Sequence, residues 1–154
     1  MMNRAGLILL VVAMLGVAGC AGALFQQPTI TVKNVSVQNF NLTSADLLIY
    51  ATVHNPNPIG ATLTKITYNI YYLRNGEFRF LGSGERGGFQ VPAQANVTLG
   101  LPVTVTNAEV VRTTAQALRE GSVTVLVNGT ASLDLGITTF DIPYNQTQKV
   151  NLTS

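Results

Sequence analysis

Cysteine occurs once in this chain, at Cys20, so no internal disulfide can form and neither a thiol redox pair nor a cysteine-based zinc site can be assembled. Tryptophan is missing, and His54 is the only histidine. For catalysis His54 would need a nucleophile and an orienting carboxylate, and for metal binding it would need companions; local spacing supplies none, so a structural or solvent-facing role is expected. Charge is scarce as well, at 10% of residues with a formal net charge of +2. The basic residues Lys33, Lys65, Arg74, Arg79, Arg86, Arg112, Arg119 and Lys149 stand singly among acids, where a nucleic-acid partner would need them on one stripe or helix. The carboxylates Asp46, Glu77, Glu85, Glu109, Glu120, Asp134 and Asp141 are equally dispersed, without a metal-loop or glycosidase-like pattern. Catalytic residues, metal, cofactor and nucleic acid are therefore all expected to be absent.

What the chain has instead is apolar surface, with 47% hydrophobic residues over a length that suits one domain with a real core. Its first part reads as a leader. Arg4 gives a positive n-region, Ala5 to Leu15 an apolar h-region, and Val17-Ala18-Gly19 a small-residue approach to Cys20. Val17-Ala18-Gly19-Cys20 resembles the lipobox of prokaryotic lipoproteins, and that resemblance implies cleavage of residues 1–19 and lipid on the Cys20 thiol. Several acyl chains hold a protein where one would be marginal, at about 0.8 kcal/mol per buried methylene. The alternative is an uncleaved transmembrane helix, because no charge interrupts Arg4 to Lys33 and Ala5 to Phe25 is long enough to span a bilayer. Both readings put the domain at a membrane of the cell envelope, on its periplasmic or extracellular face. Residues 20–28 then form a lipidated tether.

From Thr29 onward the pattern is that of strands. Ile30 and Val32 alternate with polar residues, and the phase slips at Asn34, which predicts a bulge. The clearest signal is Ser44 to Pro58: Leu47, Ile49, Ala51 and Val53 share one face, and the strand stops at Asn55-Pro56-Asn57-Pro58, where two prolines withdraw backbone donors. Ile66, Tyr68, Ile70 and Tyr72 mark the next strand, and Asn75-Gly76 predicts a type I′ hairpin with Arg74 facing Glu77. Gly82, Gly84, Gly87 and Gly88 predict a flexible loop with strand kinks; no Gly-Lys-Ser/Thr ending supports a phosphate loop. Val97, Leu99, Leu101, Val103 and Val105 alternate around Pro102, which places that strand at an edge or gives it a bulge. A helix follows over Asn107 to Glu120, with Thr106 and Glu109 at capping-box spacing and Gly121 just past the end. Ser122 to Ser132 reads as a long strand bulged at Gly129, Ile137 to Pro143 as the last strand, and residues 144–154 as a polar C-terminal tail that frays. Sequons at Asn34, Asn41, Asn96, Asn128, Asn145 and Asn151 matter only in a host that glycosylates.

About seven strands and one short helix predict a mostly β fold, an immunoglobulin- or fibronectin type III-like antiparallel β-sandwich, over residues 29–143. A strand ending in Asn55-Pro56-Asn57-Pro58, followed by Leu63, Ile66, Tyr68 and Ile70, a hairpin, and Gly84-Glu85 before an alternating strand, resembles the group 2 late embryogenesis abundant proteins, also called the water stress and hypersensitive response domain. The resemblance covers Thr29 to Asp141. It implies a compact sandwich with one helix, a link to desiccation or other stress, and no catalytic centre. The Asn-Pro-Asn asparagines are expected to satisfy backbone groups that the prolines leave unpaired.

Three functions are then open. The first is a membrane-anchored, non-enzymatic stress-protective lipoprotein. The second is an envelope binding or adaptor module that offers sandwich loops or an edge strand to a protein or ligand. The third is a hydrolase assembled from residues distant in sequence, which a carboxylate or hydroxyl beside His54 would favour.

Overall fold

The computed structural model describes residues 24–151, and for Glu109, Ala117, Leu118 and Asn151 the backbone alone. The leader, the lipobox and Cys20 lie outside the described residues. Alternation builds the core. In β2 (Ala45–Asn55) every second residue is buried from end to end, and β3 (Ala61–Arg74) buries Ile66, Tyr68, Ile70 and Tyr72 on its inner face. Each fully buried Val, Leu or Ile contributes about 1.5–3 kcal/mol relative to exposure, so these two strands supply a large part of the driving force.

The strands make two antiparallel sheets, and eight lie among the described residues. One sheet has the order β1 (Thr29–Phe40), β2, β6 (Ala95–Val105). The other has β4 (Glu77–Arg86), β3, β7 (Ser122–Asp134) and β8 (Thr139–Asn151), with the short β5 (Phe89–Val91) pairing with β3 beyond the end of β4. Helix α1 (Ala108–Arg119) carries the chain from β6 to β7. The sandwich therefore has two poles. At one lie the start of β1, the β2–β3 connection with the Asn-Pro run, the chain between β5 and β6, and the β7–β8 turn. At the other lie the β1–β2 turn, the Asn75–Gly76 turn and α1. Asn75 and Gly76 have φ of 52° and 80°, as the predicted type I′ turn requires, and Arg74 is in register with Glu77.

The sheets meet edge to edge, β1 against β8 and β4 against β6, and side chains occupy the unpaired backbone groups. On β1, the Val32 N–H donates to Gln146 Oε1 at 2.6 Å, while Gln146 Nε2 and Gln148 Nε2 donate to the carbonyls of Ile30 and Val32. On β6, Arg86 Nη1 donates to the Gly100 carbonyl at 2.8 Å and the Tyr68 hydroxyl to the Pro102 carbonyl at 2.9 Å. Pro102 has no N–H to strand there, and β6 is an edge strand, which is where a proline is tolerated.

Several expectations change. The glycine-rich stretch is not a loose loop up to Gly88: β4 runs through Gly82 and Gly84 to Arg86. Its glycines make room, since a Cβ on Gly82 would sit 2.6 Å from Val103 and one on Gly84 would collide with the Tyr68 ring. A bulge interrupts the β3–β4 register between Ile70 and Tyr71, and the short β5 adds one strand to those predicted. The bulge at Asn34 is present, but β7 pairs with β8 without interruption through Gly129. At Gly129 a Cβ would run into the Thr67 carbonyl, where the Tyr144 hydroxyl docks. Residues 144–151 are the second half of β8 rather than a frayed tail. They are polar because Gln146 and Gln148 serve β1, while Tyr144 and Val150 are buried.

Candidate functional site

Among the described residues two polar side chains are fully buried, Asn55 at 0% and Asn57 at 1% exposure. The alternation of β2 points Asn55 inward in the place of a sixth apolar residue, and Pro56 then ends the strand. Asn55 Nδ2 donates to the Ile59 carbonyl at 2.8 Å and the Pro92 carbonyl at 3.2 Å, and the Val91 carbonyl is at 3.4 Å. Asn55 Oδ1 accepts from Asn57 N and Asn57 Nδ2, both at 3.1 Å. Asn57 then reaches outward to the incoming chain. Its Oδ1 accepts from Gln26 N at 2.7 Å and its Nδ2 donates to the Gln26 carbonyl at 2.8 Å, a pairing like that of a neighbouring strand. The Asn57 carbonyl accepts from Gln94 N at 3.0 Å, and Gln94 takes a φ of 51° there.

The motif therefore ties three segments together: the lead-in at Gln26, the β2–β3 connection and the chain between β5 and β6. Asn55 serves the Asn57 N–H and the carbonyls of Ile59 and Pro92, while Asn57 serves both backbone groups of Gln26 in the lead-in. Within the expected tether over residues 20–28, Gln26 is held at this hub and Phe25 packs against the core.

His54 Nδ1 lies 2.8 Å from the Asn96 side-chain oxygen, an amide rather than a hydroxyl or carboxylate. Among the described residues no three of His, Cys, Asp and Glu gather where a metal ion could be held. The helix cap falls one residue later than the Thr106–Glu109 spacing predicted. Asn107 Oδ1 accepts from Val110 N at 3.3 Å, the geometry of an N-cap to the third helical residue. Gly121, with φ 133°, follows the helix end.

Two phenols are buried polar groups that sequence reasoning left unassigned. Burial raises Tyr144 well above the ordinary phenol range, with a smaller contribution from the neighbouring Tyr68, and its hydroxyl donates to the Thr67 carbonyl at 2.8 Å. Burial also raises Tyr68, against a lowering influence from Arg86. Both therefore act as neutral hydrogen-bond donors. The cavity beneath α1, lined by Phe40, Leu47, Leu81, Val105 and Val111, holds about 20 Å³, which leaves no room for a ligand of ordinary size. On the outer face of β3 and β4, Tyr71 meets Phe80 edge-on at 5.6 Å and Leu73 stands opposite Phe78. Among the described residues no helix is long and apolar enough to cross a membrane.

A sequence profile described as late embryogenesis abundant protein matches residues 50–148, which take in the Asn-Pro run, β6 with the second half of β2, and nearly all of the β4-β3-β7-β8 sheet. The chain is 33% identical over 150 residues to an uncharacterized protein of Methanocaldococcus jannaschii, covering 96% of this chain and 83% of that one. The solution structure of a protein from Arabidopsis thaliana is similar with a TM-score of 0.63 at 19% identity, over 87% of this chain and 89% of that one. The solution structure of a protein described as late embryogenesis abundant gives 0.58 at 16% identity, over 98% and 86%. Identities this low carry the fold alone.

Proposed function

Because this chain belongs to the late embryogenesis abundant protein family, we propose that it is a stress-associated, non-enzymatic domain held at an envelope membrane by its N-terminal segment, protecting its surroundings during water loss. The observation that carries the reading is where the polar chemistry is spent. The buried amides of Asn55 and Asn57 are consumed in holding backbone. So are the edge residues Gln146, Gln148, Arg86 and Tyr68. Such a body offers a firm polar surface rather than a reactive centre. Anchoring rests on the lipobox-like Val17-Ala18-Gly19-Cys20, with the surviving apolar helix as the other way of reaching the same bilayer.

Drying assays test the protective half. The domain should preserve a test enzyme or liposomes better than an unrelated sandwich of equal mass, and equal protection by both removes the stress role. Intact mass of the membrane-extracted protein tests the anchor: loss of residues 1–19 with acyl chains on Cys20 is expected, and a free thiol in a soluble full-length chain refutes it.

A second reading, an adaptor for an envelope protein, draws on the exposed outer-face residues Leu73, Phe78 and Phe80. Docking by strand addition is disfavoured, because the sheet edges face each other. Cross-linking in intact cells separates the readings, since one stoichiometric partner favours the adaptor and a diffuse set of neighbours the protective domain.

A further inference from the structure

We propose that the pole of the sandwich built around Asn55 and Asn57 rests on the lipid surface, with Leu24 and Ile137 entering the boundary between headgroups and acyl chains. This deepens the membrane-anchored reading and rests on it.

Three observations meet at this pole. The first is where the chain arrives. Asn57 grips both backbone groups of Gln26, so the lead-in enters at a fixed point. Cys20 is four residues before Leu24, which allows at most about 14 Å of extended chain between lipid attachment and the described structure. An uncleaved helix would leave the membrane at the same place. Either anchor therefore holds this pole, and not the opposite one, within reach of the bilayer.

The second observation is charge. Segments 24–29, 54–62, 87–96 and 134–140 make up the pole, and their one formally charged residue is Asp134. Its Oδ1 accepts from Gly136 N at 2.7 Å and shapes the β7–β8 turn. The flank of this pole carries Lys65, Glu85, Arg86 and Asp141, with Lys65 paired to Glu85, whereas at the opposite pole Arg74, Glu77, Glu109, Arg112, Arg119 and Glu120 stand at the terminal turn and helix themselves. Bringing a charge below the headgroups costs desolvation, so a nearly uncharged pole enters the boundary with the acyl chains at less cost than the opposite one.

The third is exposed apolar surface. Leu24 is 71% and Ile137 69% exposed, and Pro58 and Pro92 are exposed beside the hub. Ile137 sits at the tip of a tight turn closed by Leu135 N donating to the Thr138 carbonyl at 2.9 Å. A projecting isoleucine on a rigid turn suits shallow insertion. A lipid surface is the one occupant that agrees with all three: it is where the chain leads, it favours missing charge, and it needs no shaped pocket.

The test uses the full anchored chain in vesicles of phosphatidylethanolamine and phosphatidylglycerol, with a photo-cross-linking amino acid replacing either Ile137 or Leu42. Leu42 is the matched control, 73% exposed in the turn at the opposite pole. Phospholipid adducts at position 137 should exceed those at 42 on the order of tenfold. Equal yields from protein that sediments with the vesicles overturn the docking and leave the anchor standing. Protein that stays in the supernatant with an unmodified Cys20 overturns both.

Discussion

Truncating Asn55 should destabilise this domain far more than truncating Asn57, although the two asparagines are equally buried and bonded to each other. In Asn55→Ala, the Asn57 N–H loses its acceptor at a buried position, and the carbonyls of Ile59 and Pro92 lose a donor. Each stranded buried group costs about 1–3 kcal/mol. The carbonyls are only partly buried and can recruit water, so the net loss should be about 3–5 kcal/mol, a large share of the ~5–15 kcal/mol that holds a typical domain. Asn57→Ala releases Gln26 at a part-buried position where water can replace both bonds, for about 1–2 kcal/mol. Urea melts followed by circular dichroism on the domain without its leader measure both losses. Hydrogen exchange adds a qualitative check, since the Gln26 amide should lose protection in Asn57→Ala under conditions where β2 stays protected. Equal costs for the two variants, or a loss below about 1.5 kcal/mol for Asn55→Ala, would refute the idea that Asn55 is the structural member of the pair.

Asn55→Asp isolates the donors. It keeps the shape and the acceptor oxygen but sets a carboxylate oxygen against the Ile59 and Pro92 carbonyls. Burial and those two oxygens raise the folded-state pKa of the new acid above its unfolded value near 3.9. Protonation therefore favours the fold: the variant should be least impaired below about pH 4 and lose stability as pH rises through the raised folded value. Stability of the variant that does not fall over that interval would show that the carbonyls are not where the donors act.

Other outcomes follow from the edges and the phenols. Gln146→Leu should cost about 1–2 kcal/mol by uncovering the Val32 N–H and the Ile30 carbonyl, whereas Asn145→Ala on the exposed face should be near neutral in the same melts. Gly84→Ala should cost about 1–3 kcal/mol by forcing the methyl into the Tyr68 ring, and Tyr68→Phe should not rescue it, because the ring itself obstructs the methyl. Tyr144 and Tyr68 have folded pKa values above the unfolded value of 10.0, so the stability they contribute is complete below pH 10 and is lost as pH rises beyond it. Alkaline denaturation followed by tyrosinate absorbance should therefore coincide with unfolding, and Tyr144→Phe should move that transition to higher pH while costing about 1 kcal/mol at neutral pH.

The parts legible in the sequence and the parts that were not differ in kind. Period-two alternation reads one strand at a time, and it identified the inner faces of β2, β3 and β6, where side chains answer to burial alone. The Asn-Pro run announced itself because proline has a fixed local consequence. The sandwich closes through contacts with no local signature. Gln146 meets Ile30 across 116 positions, and nothing about a glutamine in a polar stretch says that its amide will serve an edge strand rather than water. The same blindness made residues 144–151 look like a tail, Gly84 like part of a flexible loop and Gly129 like a bulge, when Gly84 leaves room for the Tyr68 ring and Gly129 for the Thr67 carbonyl to which the Tyr144 hydroxyl donates. One signal was available. Tyr144 and Val150 keep the period of a half-buried strand through the polar residues between them, and this weighs more than composition when the other face has a backbone edge to cover. A sandwich whose edges are closed by side-chain amides and a guanidinium will look, in sequence, more open and more polar than it is. The proposed role in water loss would draw on this construction, because bonds that already run from amide to backbone have no solvent partner to lose.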